Sequence, residues 1–198
     1  MNLTPYQIDA LTELINIGVG KAAGMLNQIL EAHVHLQVPS IKIFPYTEIH
    51  GVLKEIVSTS LSVVKLAFKG PFSGTALLAF PPDSASNLVN LLAGELPEHA
   101  EDFDSIRVGA LTEVGNIVLN GVMGSLSNIL QEHLSYSIPD YVEDSIERLL
   151  QENNADADST IILAQTELAI EQLEIHGNVL LLFRVGLFNA LAKTLESL

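Results

Sequence analysis

Apolar residues recur at spacings of three, four and seven through Ile8, Leu11, Ile15, Ala22, Leu26 and Ile29, the mark of a helix with one buried face. Thr4-Pro5-Tyr6-Gln7 opens that helix with an N-cap, a proline at the first helical position and a capping-box glutamine. The periodicity runs to about Ala32, which makes a helix roughly 40 Å long. Residues 34–44 then predict a strand, in which Pro39 suits an edge or a strand start. Residues 60–69 and 74–80 predict a β-hairpin about Gly70-Pro71, and residues 82–93 a shorter helix. Polar residues 95–104 read as a linker. A second long helix is expected from Asp104 or Ser105 to near His133, and a helix over 141–151. Strands over 160–169 and 173–184 and a closing helix from Leu187 complete the pattern. The acidic, Asn-rich residues 152–159 read as a solvated loop. This order predicts an α+β fold with an antiparallel sheet covered by helices.

The two long helices are copies of one another. Residues 11–39 lie over residues 111–139 without a gap, and eleven of those 29 positions are identical: Leu11, Thr12, Glu13, Asn16, Ile17, Gly24, Leu26, Ile29, Leu30, His33 and Pro39 each recur one hundred residues later. Unrelated amphipathic helices agree at only a few positions, and here polar residues match as well as apolar ones. A weaker echo relates 74–92 to 177–195. The chain therefore reads as a single domain, 1–198, made of two repeats at about 1–96 and 104–198.

Asp9, Glu13, Asn16 and Gly20 form a second stripe on the first helix, opposite the apolar one. Glu113, Asn116 and Asn120 hold the same place on the second, opposite Val108, Leu111, Val118 and Val122. An outward Glu and Asn on a helix is ordinarily no more than a solvated face. This pair, however, is unchanged in a repeat whose other surface positions have drifted, such as Lys21 against Gly121 and Ala23 against Met123. Few bulky or charged residues surround it: Gly18, Gly20, Ala23 and Gly24 in the first copy, Gly115, Asn120 and Gly121 in the second. Such neighbours would let another protein's surface come close. Asn carries a donor and an acceptor on one rigid amide, able to hold a water in a defined direction, and Glu carries a charge for an incoming ammonium.

Charge and composition narrow the partners. With 24 acidic against 9 basic side chains the net charge is −15, which repels phosphate backbones and anionic membranes, so no nucleic acid and no membrane are expected as partners. The absence of cysteine excludes disulfides, zinc–thiolate sites and thiol nucleophiles. The opening MNLTPYQIDA has neither the basic nor the apolar region of a signal peptide, so a cytoplasmic protein is expected. Gly18-Val19-Gly20-Lys21 lacks a preceding strand, the full phosphate-loop pattern and a repeat counterpart. The histidines, His33, His35, His50, His99, His133 and His176, show no HxxxH spacing, and no metal site is expected; His33 and His133 are expected to close their helices.

The arrangement Asp9-x3-Glu13-x2-Asn16-x22-Pro39 resembles the signature of the CheC/CheX/FliY phosphatases of bacterial and archaeal chemotaxis. Gly109-x3-Glu113-x2-Asn116-x22-Pro139 repeats it, except that Gly109 stands where the family has Asp or Ser. Two copies, with no appended flagellar-switch domain, favour the CheC type. The resemblance implies an internally duplicated, pseudo-twofold CheC-like fold with two long helices on the face of its sheet. It also implies hydrolysis of the aspartyl phosphate of a CheY-type response regulator, an enzyme activity. Glu13 and Glu113 would pair with the regulator's lysine, and Asn16 and Asn116 would orient the attacking water. Asp9, Gly20 and Asn120 would serve binding, while Pro39 and Pro139 would be structural. This chain would bind no cofactor of its own; the regulator would bring Mg²⁺. The alternative is a non-catalytic module of the same fold that sequesters phosphorylated regulator or binds CheD, the receptor-modifying deamidase. If the residue before Glu holds the partner, Gly109 makes the second site the weaker.

Overall fold

The first helix, α1 (Pro5–Leu30), begins as its sequence directs. The Gln7 N–H donates to the Thr4 hydroxyl oxygen at 3.3 Å, and the Thr4 N–H donates to Gln7 Oε1 at 2.9 Å. A computed structural model of the chain describes residues 4–37, 39–49, 51–52, 61–71, 73–93, 100–144, 160–170 and 173–184. After α1 come β1 (His35–Leu36), β2 (Ser40–Pro45), β3 (Leu61–Lys69), β4 (Ser73–Phe80), α2 (Pro82–Ala93) and α3 (Ala100–Ile129). The strands β5 (Ser135–Tyr136), β6 (Asp140–Asp144), β7 (Thr160–Ile170) and β8 (Ile175–Arg184) follow.

All strand pairs are antiparallel, in one sheet ordered β1-β7-β8-β4-β3-β5, with β2 also on β7 and β6 also on β3. The order is the same read from either end once each strand is exchanged for its repeat partner. A pseudo-twofold therefore runs between β4 and β8, where Leu77 faces Leu180 and Leu78 faces Val179. Alternate residues serve opposite faces. Val64, Leu66, Phe68, Ala76, Leu78, Phe80, Val179, Leu181 and Phe183 join the buried side of the helices. Leu61, Val63, Leu77, Ala79, Leu180 and Leu182 build a second cluster with Phe44 and Ile49. Apolar residues on both faces explain why these strands read as unbroken apolar runs.

Four expectations change. Residues 100–104 are helix rather than linker, because nothing like Pro5 stops α3 at Ser105. Residues 140–144 form the edge strand β6, the counterpart of β2, where a helix over 141–151 was expected; its exposed acidic residues hid an alternation against β3. Residues 145–151, the loop 152–159 and the helix from Leu187 lie outside the described residues. Both long helices also stop short of the expected Ala32 and His133. Glu31 (φ 48°) and Gln131 (φ 52°) take the left-handed conformation without being glycine. His33 and His133 therefore lie beyond the helix ends rather than closing them.

Candidate functional site

The stripe that faces outward is decided by the one that faces inward. Leu11, Leu14, Ile15, Val19, Ala22 and Leu26 of α1 are buried, as are Leu111, Val114, Val118, Leu119, Val122 and Leu126 of α3. The helices pack directly on one another, and small residues make the crossing close. A Cβ on Gly18 would lie 3.0 Å from the Val122 carbonyl oxygen, and one on Gly121 3.3 Å from the Ala22 Cβ. Two residues assigned to the inner stripes are exposed, Ile29 and Val108. At those turns the neighbouring Leu30 and Arg107 take the inward positions instead.

Asp9, Glu13 and Gly20 are exposed and Asn16 is half-buried; Gly109, Glu113 and Asn120 are exposed and Asn116 is half-buried. Glu and Asn are one turn apart in each helix and share a face. Each pair has an apolar margin on that face: Tyr6 and Ile17 beside Glu13, Ile106 and Ile117 beside Glu113. Both pairs lie N-terminal to the crossing contacts of their own helices, Gly18 with Val122 and Gly121 with Ala22. Asn120 Nδ2 donates to Asn116 Oδ1. Position 20 is glycine, and among the described residues no group hydrogen-bonds to the Asn16 amide.

The glycines divide into two kinds. Gly20, Gly24 and Gly109 face open space, whereas Gly18, Gly115 and Gly121 are small for internal reasons. A Cβ on Gly115 would sit 2.4 Å from Val64 Cγ1, so that residue makes room for the sheet and not for a visitor. Pro39 and Pro139 stand immediately before the edge strands β2 and β6, where a residue without an N–H costs no ladder bond.

Sequence reasoning missed a polar cluster beneath α3. Arg107 pairs with Glu143 at 2.8 Å and donates to the Ser62 hydroxyl at 3.0 Å. The Tyr141 hydroxyl lies 2.7 Å from Glu143 Oε1 and 3.2 Å from Ser62 Oγ. Burial raises the Tyr141 phenol above its ordinary pKa, so it remains a donor at neutral pH. The available signal was Arg107 falling in register with Leu111, Val114 and Val118 on the inner stripe.

The outward pairs sit on accessible helix faces. An open groove of about 380 Å³ lies elsewhere, between α2 and the β7–β8 turn, lined by Asn87, Asn90, Leu91, Leu173 and Glu174. Among the described residues no cluster of three His, Asp or Glu could hold a metal, and no helix is long and apolar enough to cross a membrane. Each outward pair presents a carboxylate and an amide to whatever approaches that helix face.

Comparison with known proteins gives the following. Residues 7–43 match the CheC-like family. The chain is 25% identical over 148 residues to the CheY-P phosphatase CheC of Bacillus subtilis strain 168, covering 74% of this chain and 70% of that one. Its fold is similar to that of Thermotoga maritima FliY, with a TM-score of 0.74 at 21% identity over 100% of this chain and 99% of that one. It is also similar to a chain of the CheX–CheY–BeF3–Mg²⁺ complex of Borrelia burgdorferi, with a TM-score of 0.57 at 16% identity over 87% and 99%.

Proposed function

We propose that the chain is a member of the CheC-like family, which its residues 7–43 match, and that it is a cytoplasmic phosphatase for the aspartyl phosphate of a CheY-type response regulator. The observation that carries the reading is the recurrence of Glu and Asn, one hundred residues apart, at the same accessible place on two helices. The relatives named as CheY-P phosphatases support the substrate class.

In this reading α1 and α3 each lay their outer face on a regulator, with Tyr6 and Ile17 or Ile106 and Ile117 as apolar margins. Glu13 or Glu113 pairs with the regulator's lysine ammonium and fixes the approach. Asn16 or Asn116 reaches the acyl phosphate and holds a water in line with the phosphorus. The water oxygen bonds to phosphorus as the P–O bond to the aspartyl carboxylate breaks, releasing inorganic phosphate and the free aspartate. The divalent ion is the regulator's and balances charge on the phosphoryl oxygens. The work left to this chain is positioning, which suits phosphoryl transfer, where orientation and charge stabilisation supply most of the acceleration.

The test is phosphate release from a phosphorylated CheY-type regulator with Mg²⁺, with and without the chain. Asn16→Ala with Asn116→Ala should lower the acceleration on the order of 10²–10³-fold, as loss of an orienting amide does elsewhere, with an unchanged circular-dichroism melt. Fast release by the double variant sinks the assignment. Tight binding of phosphorylated regulator without turnover by the parent chain points to sequestration instead.

A further inference from the structure

The two outward pairs differ at one position that bears directly on the amide. On α3, Asn120 lies one turn beyond Asn116 and its Nδ2 donates to Asn116 Oδ1. On α1 the same position is Gly20. We infer that Asn120 is a positioning residue that presets the Asn116 amide, so that the second site turns over faster than the first. This rests on the proposed function and deepens it.

A free asparagine amide can turn about its last side-chain bond, presenting oxygen or nitrogen to a visitor. A donor held at Oδ1 removes that choice. It occupies one lone pair of the carbonyl and leaves the other lone pair and both N–H groups for a water or a phosphoryl oxygen. The ordering that the Asn16 amide undergoes between the bound complex and the transition state is already in place in Asn116, and freezing one such group counts for about two- to five-fold in rate. A second difference acts on a separate quantity. Asp9 is exposed one turn before Glu13, and Gly109 replaces it on α3, so the first site has an extra charge with which to hold a partner. The two differences divide the labour: the first site has the lower KM and the second the higher kcat.

Single-site chains test this. In an Asn16→Ala background, which leaves the second site, Asn120→Ala should lower kcat about two- to five-fold with KM unchanged. Asn120→Asp, which keeps the shape but cannot donate, should lower it at least as much. In an Asn116→Ala background, Gly20→Asn should raise kcat at the first site; a Cβ at position 20 meets nothing within 4 Å. Side-chain amide relaxation by NMR on the free chain supplies a readout independent of turnover. It should find Asn116 ordered and Asn16 mobile, with Asn120→Ala releasing Asn116. An Asn116 amide as mobile as Asn16, or a kcat indifferent to Asn120→Ala, overturns the inference. If the parent chain accelerates nothing, the proposed function fails, and the NMR comparison alone decides whether Asn120 positions Asn116.

Discussion

The two halves present the same Glu and Asn on their outer helix faces and rest them on different foundations. Beneath α1, β2 and β7 supply Ile41, Ile43, Ile162 and Ala164, with Ile43 opposite Ile162 and Ile41 opposite Ala164. Beneath α3 the repeat positions are Tyr141, Glu143, Ser62 and Val64, paired in the same register. Helix and sheet have changed together: bulky Ile15 of α1 and small Ala164 of β7 share one core cluster, and at the repeat positions Gly115 of α3 packs against larger Val64 of β3. A core asks only that volume and polarity be satisfied, so compensated exchanges are tolerated. The outer pair gains no such freedom from packing, which is what a requirement set by another molecule looks like.

That contrast can be broken most severely at its tightest point. Gly115→Ala should lower stability by about 1–3 kcal/mol, because the new methyl collides with Val64 in a full core. Val64→Ala should recover part of the loss, and a denaturant double-mutant cycle reads the coupling; additive losses would show that the two positions do not share one space. Next is the polar cluster. Arg107→Ala should cost about 1–2 kcal/mol, since it leaves the Ser62 hydroxyl with Tyr141 as its remaining side-chain donor and removes a charge-assisted contact to a half-exposed Glu143. Gln7→Ala, its repeat counterpart, loses the capping box instead, at about 1 kcal/mol, and equal salt sensitivity of the two variants would contradict the distinction. Smallest is Gly109→Asp, which has open space to occupy. One exposed charge is worth about 0.2–1 kcal/mol, so KM at the second site should fall up to about five-fold with kcat unmoved.

Much of this architecture was readable where the signal is local. The start of α1 is written in four consecutive residues, and the β3–β4 hairpin in two apolar runs about Gly70-Pro71. The outward direction of Glu13 and Asn16 follows from Leu11, Ile15 and Leu26 facing in. The helix ends were not readable, because Glu31 and Gln131 take a left-handed conformation that glycine usually advertises. At those ends Asn27 accepts from the Val34 N–H at 2.7 Å and Ser127 donates to the Glu132 carbonyl, turns closed by side chains rather than by a residue with special freedom. The strand β6 was hidden for another reason: Asp140, Glu143 and Asp144 read as a polar helix face until β3 supplies the partner. The cluster of Ser62, Arg107, Tyr141 and Glu143 joins three distant segments, so no spacing along the chain announces it. The bond from Asn120 to Asn116 is local, yet helical spacing alone does not reveal which of several rotamers an amide adopts.

The seam between β4 and β8 joins seven residue pairs from the two halves. A chain cut between α2 and α3 would bare that rim in each fragment and would also part β1 and β2 from β7 and β5 and β6 from β3, leaving ladder groups that ask for a complement of the same shape. The nearest complement to such a fragment is its own twin. The geometry thus contains a recipe for a homodimeric forerunner, which a fusion of two copies would have locked into a fixed one-to-one stoichiometry and freed to specialise.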